Sequence, residues 1–246
     1  MMQQRPVSTL SRVVLYLGLI SGAGAVIAGP GTRAGWWDLS LGLSLLAWFG
    51  IMGLVTAVAG LLALYLARPS GPRAGFPRAL TGTIVAAATF GALVPWVLAA
   101  RAAPPIHDIT TDLDNPPAFE AAAEARRAAP NALEYPGDEF RGAQQEAYPE
   151  VVPLEVSASP EHVLTTALEI AERRGWAILA VDDERLEAVA KTFWFGFEDD
   201  VVIRVTGEDP VRVDMRSASR VGRSDVGTNA RRIRDFMTEL ERHLSE

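Results

Sequence analysis

Three apolar stretches, residues 13–28, 39–66 and 80–100, contain no Asp, Glu, Lys, Arg or His. A helix needs about 20 apolar residues to cross a hydrocarbon core of about 30 Å. The second and third stretches meet that requirement. The first is shorter, and its run Ser21-Gly22-Ala23-Gly24-Ala25 has the small residues of a signal-peptide cleavage region. Because two more spans follow it, we read it as an uncleaved first helix. The second stretch exceeds the core thickness, which implies tilt or ends lying among headgroups.

Charge divides the chain at the same place. Residues 1–101 hold seven arginines against one acid, Asp38, whereas residues 102–246 hold 16 basic against 29 acidic side chains. An acidic domain repels phosphate backbones, which argues against nucleic acid as a partner. Cysteine is absent, so disulfides and thiolate chemistry are excluded. Arg5 and Arg12 precede the first span and Arg68, Arg73 and Arg78 fill the loop after the second, while the intervening loop has Arg33 balanced by Asp38. Positive flanks mark the cytoplasmic side. The expected topology is a multi-pass protein of a bacterial inner (plasma) membrane, with a cytoplasmic N-terminus and a periplasmic C-terminal domain. Trp36, Trp37 and Trp96 suit the interfaces, and Gly18 with Gly22 suits close helix contact. Charges that mark ion pathways are missing from the spans, so transport is disfavoured.

The expected domains are a membrane domain over 1–101, a proline-rich segment over 102–150 packed on the soluble domain, and an α+β domain over 151–246. Seven prolines interrupt the middle segment, where only 118–129 reads as a short helix, capped by Asn115. From 151 onward the pattern is strand, helix, four strands, helix. Ser159-Pro160-Glu161 starts the first helix and Gly175 ends it. Strands are expected over 176–181 and 186–197. Val201, Ile203 and Val205 alternate with Val202 and Arg204, and Val211, Val213 and Met215 alternate with Arg212, Asp214 and Arg216, which predicts strands with one buried and one wet face. A last helix is expected over 225–244. The fold class is therefore α+β, with a four- to five-stranded antiparallel sheet and two helices on one face. The same element order occurs in each half of the TATA-binding protein fold, an analogy of topology alone.

The stretch 216–229 leaves a strand, turns through glycines and enters a helix. Arg216, Ser217, Ser219, Arg220, Ser224, Asp225, Asn229 and Arg232 form a candidate anion site, since guanidinia, hydroxyls and free helix N–H groups hold carboxylate or phosphate. The competing reading makes these residues caps and ion-pair partners. A weaker candidate is a metal site at His107, Asp108, Asp112 and Asp114, whose spacing matches no defined loop. The aromatic run 193–197 reads either as sheet core or as an apolar lip. No nucleophile elbow, zinc-binding helix, P-loop or dinucleotide fingerprint occurs, so no catalytic residue and no cofactor are assigned.

Residues 106–119 (IHDITTDLDNPPAF) and 214–225 (DMRSASRVGRSD), the latter running on to Asn229 and Arg232, resemble the opening and closing motifs of the family called domain of unknown function 1499. The resemblance covers roughly 104–244. It implies bacterial-type envelope proteins and a middle segment that folds with the domain, and it carries no catalytic role. The expected function is binding of an envelope component, an anionic lipid, small anion or partner protein, by the external domain. Two alternatives are an accessory or assembly subunit acting through its spans, and a metal-dependent envelope hydrolase. Membrane lipids and an envelope protein are the expected partners.

Overall fold

The computed structural model describes residues 5–245. The chain divides into two compact units: residues up to Arg101, to which the turn 193–196 is also assigned, and residues 102–192 with 197 onward.

In the first unit the apolar stretches form α1 (Thr9–Arg33), α2 (Leu39–Ala67) and α3 (Phe76–Ala102), each long and apolar enough to cross a membrane. α1 outruns its apolar stretch because the Ser8 hydroxyl caps its start, accepting the Ser11 N–H at 3.2 Å. Asp38 caps α2 by accepting the Leu41 N–H at 2.8 Å, so the sole acid of this unit serves a helix N-terminus. Missing side chains let the helices approach. A Cβ on Gly82 would stand 2.6 Å from the Leu15 Cα, and one on Gly18 would run into the Gly82 carbonyl oxygen. Gly22 faces Val85 and Thr89. The Gly18–Gly22 pair is thus occupied by α3 of the same chain.

The second unit runs β1 (Asp108–Thr110), α4 (Ala123–Arg127), α5 (Asp138–Ala147), β2 (Leu154–Val156), α6 (Pro160–Arg173), β3 (Ala177–Val181), β4 (Arg185–Lys191), β5 (Glu198–Thr206), β6 (Val211–Ser219) and α7 (Thr228–Leu244). The fold is α+β, and all strand pairs are antiparallel. The sheet order is β1-β6-β5-β4-β3, with β2 also on β6. β1 pairs with residues 216–218 and β2 with residues 211–213, so two short strands share one edge of β6 end to end.

One sheet face holds the apolar core. Leu186, Val201, Ile203, Val213 and Met215 meet Val163, Ala167 and Ile170 of α6 and Ile233, Phe236 and Leu240 of α7. Phe236 stacks on Trp176 with ring centroids 5.3 Å apart. Burying each large apolar side chain contributes about 1.5–3 kcal/mol. The Ser159 hydroxyl starts α6 by accepting the His162 N–H, and Gly175, at φ +71°, ends it in a conformation that disfavours any Cβ.

The other face corrects the expectation of a wet surface. Asp200, Val202, Asp214, Arg216 and Ala218 are all buried on it. Phe119, Ala122 and Leu133 of the proline-rich segment pack against Val202 and Ala218. Polar side chains tolerate such cover when each meets an opposite charge or a hydrogen-bond partner.

Several boundaries also differ. The helix expected over 118–129 shrinks to α4 and is not capped by Asn115. The Glu187 carboxylate accepts the N–H groups of Glu120 and Ala122 at 2.8 and 3.0 Å, holding the chain in an irregular path before the helix. The strand expected to reach Phe197 stops at Lys191, because Thr192 and Phe197 close a turn through Thr192 N–H to Phe197 O and Phe197 N–H to Thr192 Oγ1. The aromatic run therefore lies in a turn, with Phe193 84% exposed, and is not sheet core. The last helix starts at Thr228 instead of Asp225. β1 and α5 are elements that the sequence pattern does not reveal.

Candidate functional site

Strand register sorts the candidate anion residues onto opposite sides of the sheet. Successive side chains of a strand alternate faces, so Arg216 lies on the side covered by the proline-rich segment and Ser217 and Ser219 on the helix side. The eight residues do not converge on one point.

On the covered side, charge meets charge. The Arg216 guanidinium donates to both Asp108 oxygens at 2.9 and 2.7 Å, and also to the carbonyls of Pro117 and Leu133. Its carbon sits 4.5 Å from the centre of the Phe119 ring. Arg126, wholly buried, donates to Asp200 at 3.0 Å and to the carbonyls of Ala218 and Ala132. Arg220 also binds Asp200, at 2.7 Å, and pairs with Glu198. The Asp200 hydrogen bond raises the Arg220 pKa further. Asp214 receives Arg204 and Arg212, each at 3.0 Å, and Asp112 receives Arg204 at 3.0 Å. Tyr135 borders this layer, and burial pushes its phenol up to about 12.

On the helix side, Asn229 is the hub. Its Nδ2 donates to the His107 carbonyl at 2.9 Å and to Ser219 Oγ at 3.0 Å, and its Oδ1 accepts from Ser217 Oγ at 2.8 Å. Arg232 donates to Ser217 Oγ at 2.8 Å and to Asp199 at 2.6 Å, and contacts Asn229 Oδ1. Asp225 accepts the N–H groups of Gly227 and Asn229, capping the start of α7. Burial raises the Asp225 pKa, and those two N–H groups oppose the rise. Val226, between Asp225 and Gly227, takes φ +54°, a left-handed conformation costing a β-branched residue about 1–3 kcal/mol. The Ser224 hydroxyl helps hold this turn, donating to the Pro104 carbonyl and accepting the Val226 N–H.

The four metal candidates also disperse. Asp108 serves Arg216, Asp112 serves Arg204 and Arg212, and Asp114 pairs with Arg141 at 2.8 Å on the surface. His107 packs edge-on against Phe140 with centroids 5.2 Å apart. Burial lowers its pKa, and its Nδ1 has no hydrogen-bond partner. Among the described residues no group of three or more His, Asp or Glu side chains is placed to hold a metal ion.

Beside these scaffolds a cleft of about 500 Å³ opens between the start of β1, the turn after β6 and the start of α5. Its walls are Pro105, His107, Asn131, Glu139, Phe140, Gly222 and Arg223. The cleft is open to solvent, with Glu139 and Arg223 both exposed at its walls. Asn131 fixes the turn wall, donating from Nδ2 to the Ser219 and Gly222 carbonyls at 2.9 and 3.0 Å and from its N–H to Arg220 O. The Ser219 N–H and Asn229 Nδ2 both bind His107 O, fixing the opposite wall. Arg223 is exposed, with no acid in ion-pair range among the described residues. Asn131 and Glu139 carry no sequence signal, and Arg223 is not among the eight candidate anion residues. Arg223 sits in the glycine-flanked turn already singled out, but only the fold shows which arginines there are already paired.

The two motif blocks, about a hundred residues apart, thus meet through β1 and β6, and their polar side chains chiefly bind one another. No curated protein matches the chain. The family described as Protein of unknown function (DUF1499) matches residues 108–240, from β1 into α7, which is more than half of the 246 residues. With that span covered, the chain belongs to the DUF1499 family.

Proposed function

We propose that the protein is a membrane-anchored binding protein. Its three apolar helices hold it in a plasma membrane, and its α+β domain faces the extracytoplasmic side, where it takes an anionic envelope component. The orientation rests on the arginines flanking the first span and filling the loop after the second. A reporter that works only outside the cytosol should be active when fused after Glu246; activity only of a reporter that works in the cytosol refutes this placement.

One observation carries the binding reading: Arg223 lines the cleft with no ion-pair partner among the described residues, while Arg216, Arg220 and Arg232 each hold a carboxylate of the domain. An anion meeting Arg223 displaces no internal acid, whereas one meeting Arg216 would have to displace the buried Asp108 carboxylate. Titration of the full chain in neutral detergent with inorganic phosphate tests it. Arg223→Ala should abolish phosphate binding while far-UV circular dichroism stays unchanged. Binding retained in that variant would refute the assignment.

A further inference from the structure

The walls of the cleft carry opposite charges that do not meet. Arg223 and Glu139 both line it, yet no ion pair within 4.0 Å joins them, and neither has another charged partner among the described residues. A bare anion at Arg223 therefore shares the cleft with the Glu139 carboxylate, and a bare cation at Glu139 shares it with a guanidinium. A ligand carrying both charges satisfies both walls at once. Phe140 and Pro105 add apolar surface, and Phe140 can border an ammonium or its methylene carbons. Asn131 supplies a neutral amide, although its Nδ2 is already committed to the turn.

We propose that this cleft recognises a zwitterion, an ammonium group joined by a short apolar linker to a phosphate or carboxylate. The ammonium meets Glu139, the anion meets Arg223, and the linker lies against Phe140. This rests on the anion-binding reading above and narrows it. The same chemistry belongs to an ethanolamine phospholipid headgroup and to a free phosphoethanolamine.

The test uses the full chain in neutral detergent, titrated with phosphoethanolamine, N-acetyl phosphoethanolamine and inorganic phosphate. Loss of one charge-assisted contact should weaken binding by about tenfold. Phosphoethanolamine should therefore bind about tenfold more tightly than its N-acetyl form. Glu139→Gln should erase that preference, and Arg223→Ala should abolish binding of both. Both substitutions lie on exposed side chains, and circular dichroism checks the fold. Equal binding of the two phosphoethanolamines by the unaltered protein overturns the zwitterion assignment and leaves the anion reading standing. Absence of binding by all three probes overturns both. Reconstitution in phosphatidylglycerol bilayers with and without phosphatidylethanolamine then separates the sources. Competition by the added lipid identifies a headgroup ligand, and its absence identifies a free zwitterion.

Discussion

The two faces of the sheet achieve burial by opposite means. The helix-covered face is apolar along its middle, with Val201, Ile203, Val213 and Met215 under α6 and α7. The face beneath the proline-rich segment is almost equally shielded, yet it carries Asp108, Asp200, Asp214 and Arg216. The first face gains stability from removing carbon from water. The second balances the cost of desolvating charge against ion pairs of good geometry, and its net gain is small even though each member is hard to remove. Irregular chain suits the second role, because its free carbonyls, at Pro117, Ala132 and Leu133, accept the spare guanidinium protons.

The largest effects should come from the centres of the two faces. Phe236→Ala leaves a cavity against Trp176 and should cost about 3–5 kcal/mol in urea unfolding. Arg216→Ala strands the Asp108 carboxylate and should cost a similar 3–5 kcal/mol. The faces separate in the double variant. Asp108→Leu with Arg216→Met should recover much of the loss, because it removes both buried charges. No recovery would mean that the pair itself stabilises the fold.

A smaller effect, at the wall of the cleft, is read by pH. Burial holds the His107 pKa below its usual 6.5, so folding favours the neutral imidazole. Its contribution is complete above pH 6.5 and is lost as pH falls through the lowered folded value. His107→Gln should flatten that part of the stability curve, while Phe236→Ala should shift the curve without changing its slope there. The smallest effect belongs to the rim of the charged face, where Lys191 and Glu198 pair at 3.2 Å in contact with solvent. Lys191→Ala should change unfolding free energy by less than about 0.5 kcal/mol. A larger loss would show that the ion-pair layer extends to the rim as one unit.

Much of the candidate site was legible as residue types and little of it as geometry. Residues 216–229 stand out for arginine, serine and glycine, and this stretch does bound the cleft through Gly222 and Arg223. Which arginines remain available depends on acids elsewhere, at Asp108, Asp199 and Asp200, which no local pattern connects to them. Asn131 and Glu139 arrive from an irregular segment with no periodicity. β1 has only three residues and exists as a strand because β6 offers it an edge. α5 carries too few apolar residues to announce a helix, and its Gln144 is anchored by the backbone of Thr110, again at long range.

Local rules alone determined the three apolar helices, the Ser159 cap, the Gly175 stop and the alternation of β5 and β6, because each depends on neighbours within a few residues. Alternation also assigned Arg212, Asp214 and Arg216 correctly to the face away from the helices. Only the tertiary structure decided that this face is covered, since the cover comes from residues some eighty positions earlier, and two of its buried charges are satisfied from the same segment, Arg216 by Asp108 and Asp200 by Arg126. Hydrophobic periodicity reports which side of a strand can avoid water. Whether the other side meets water depends on what the rest of the chain lays over it.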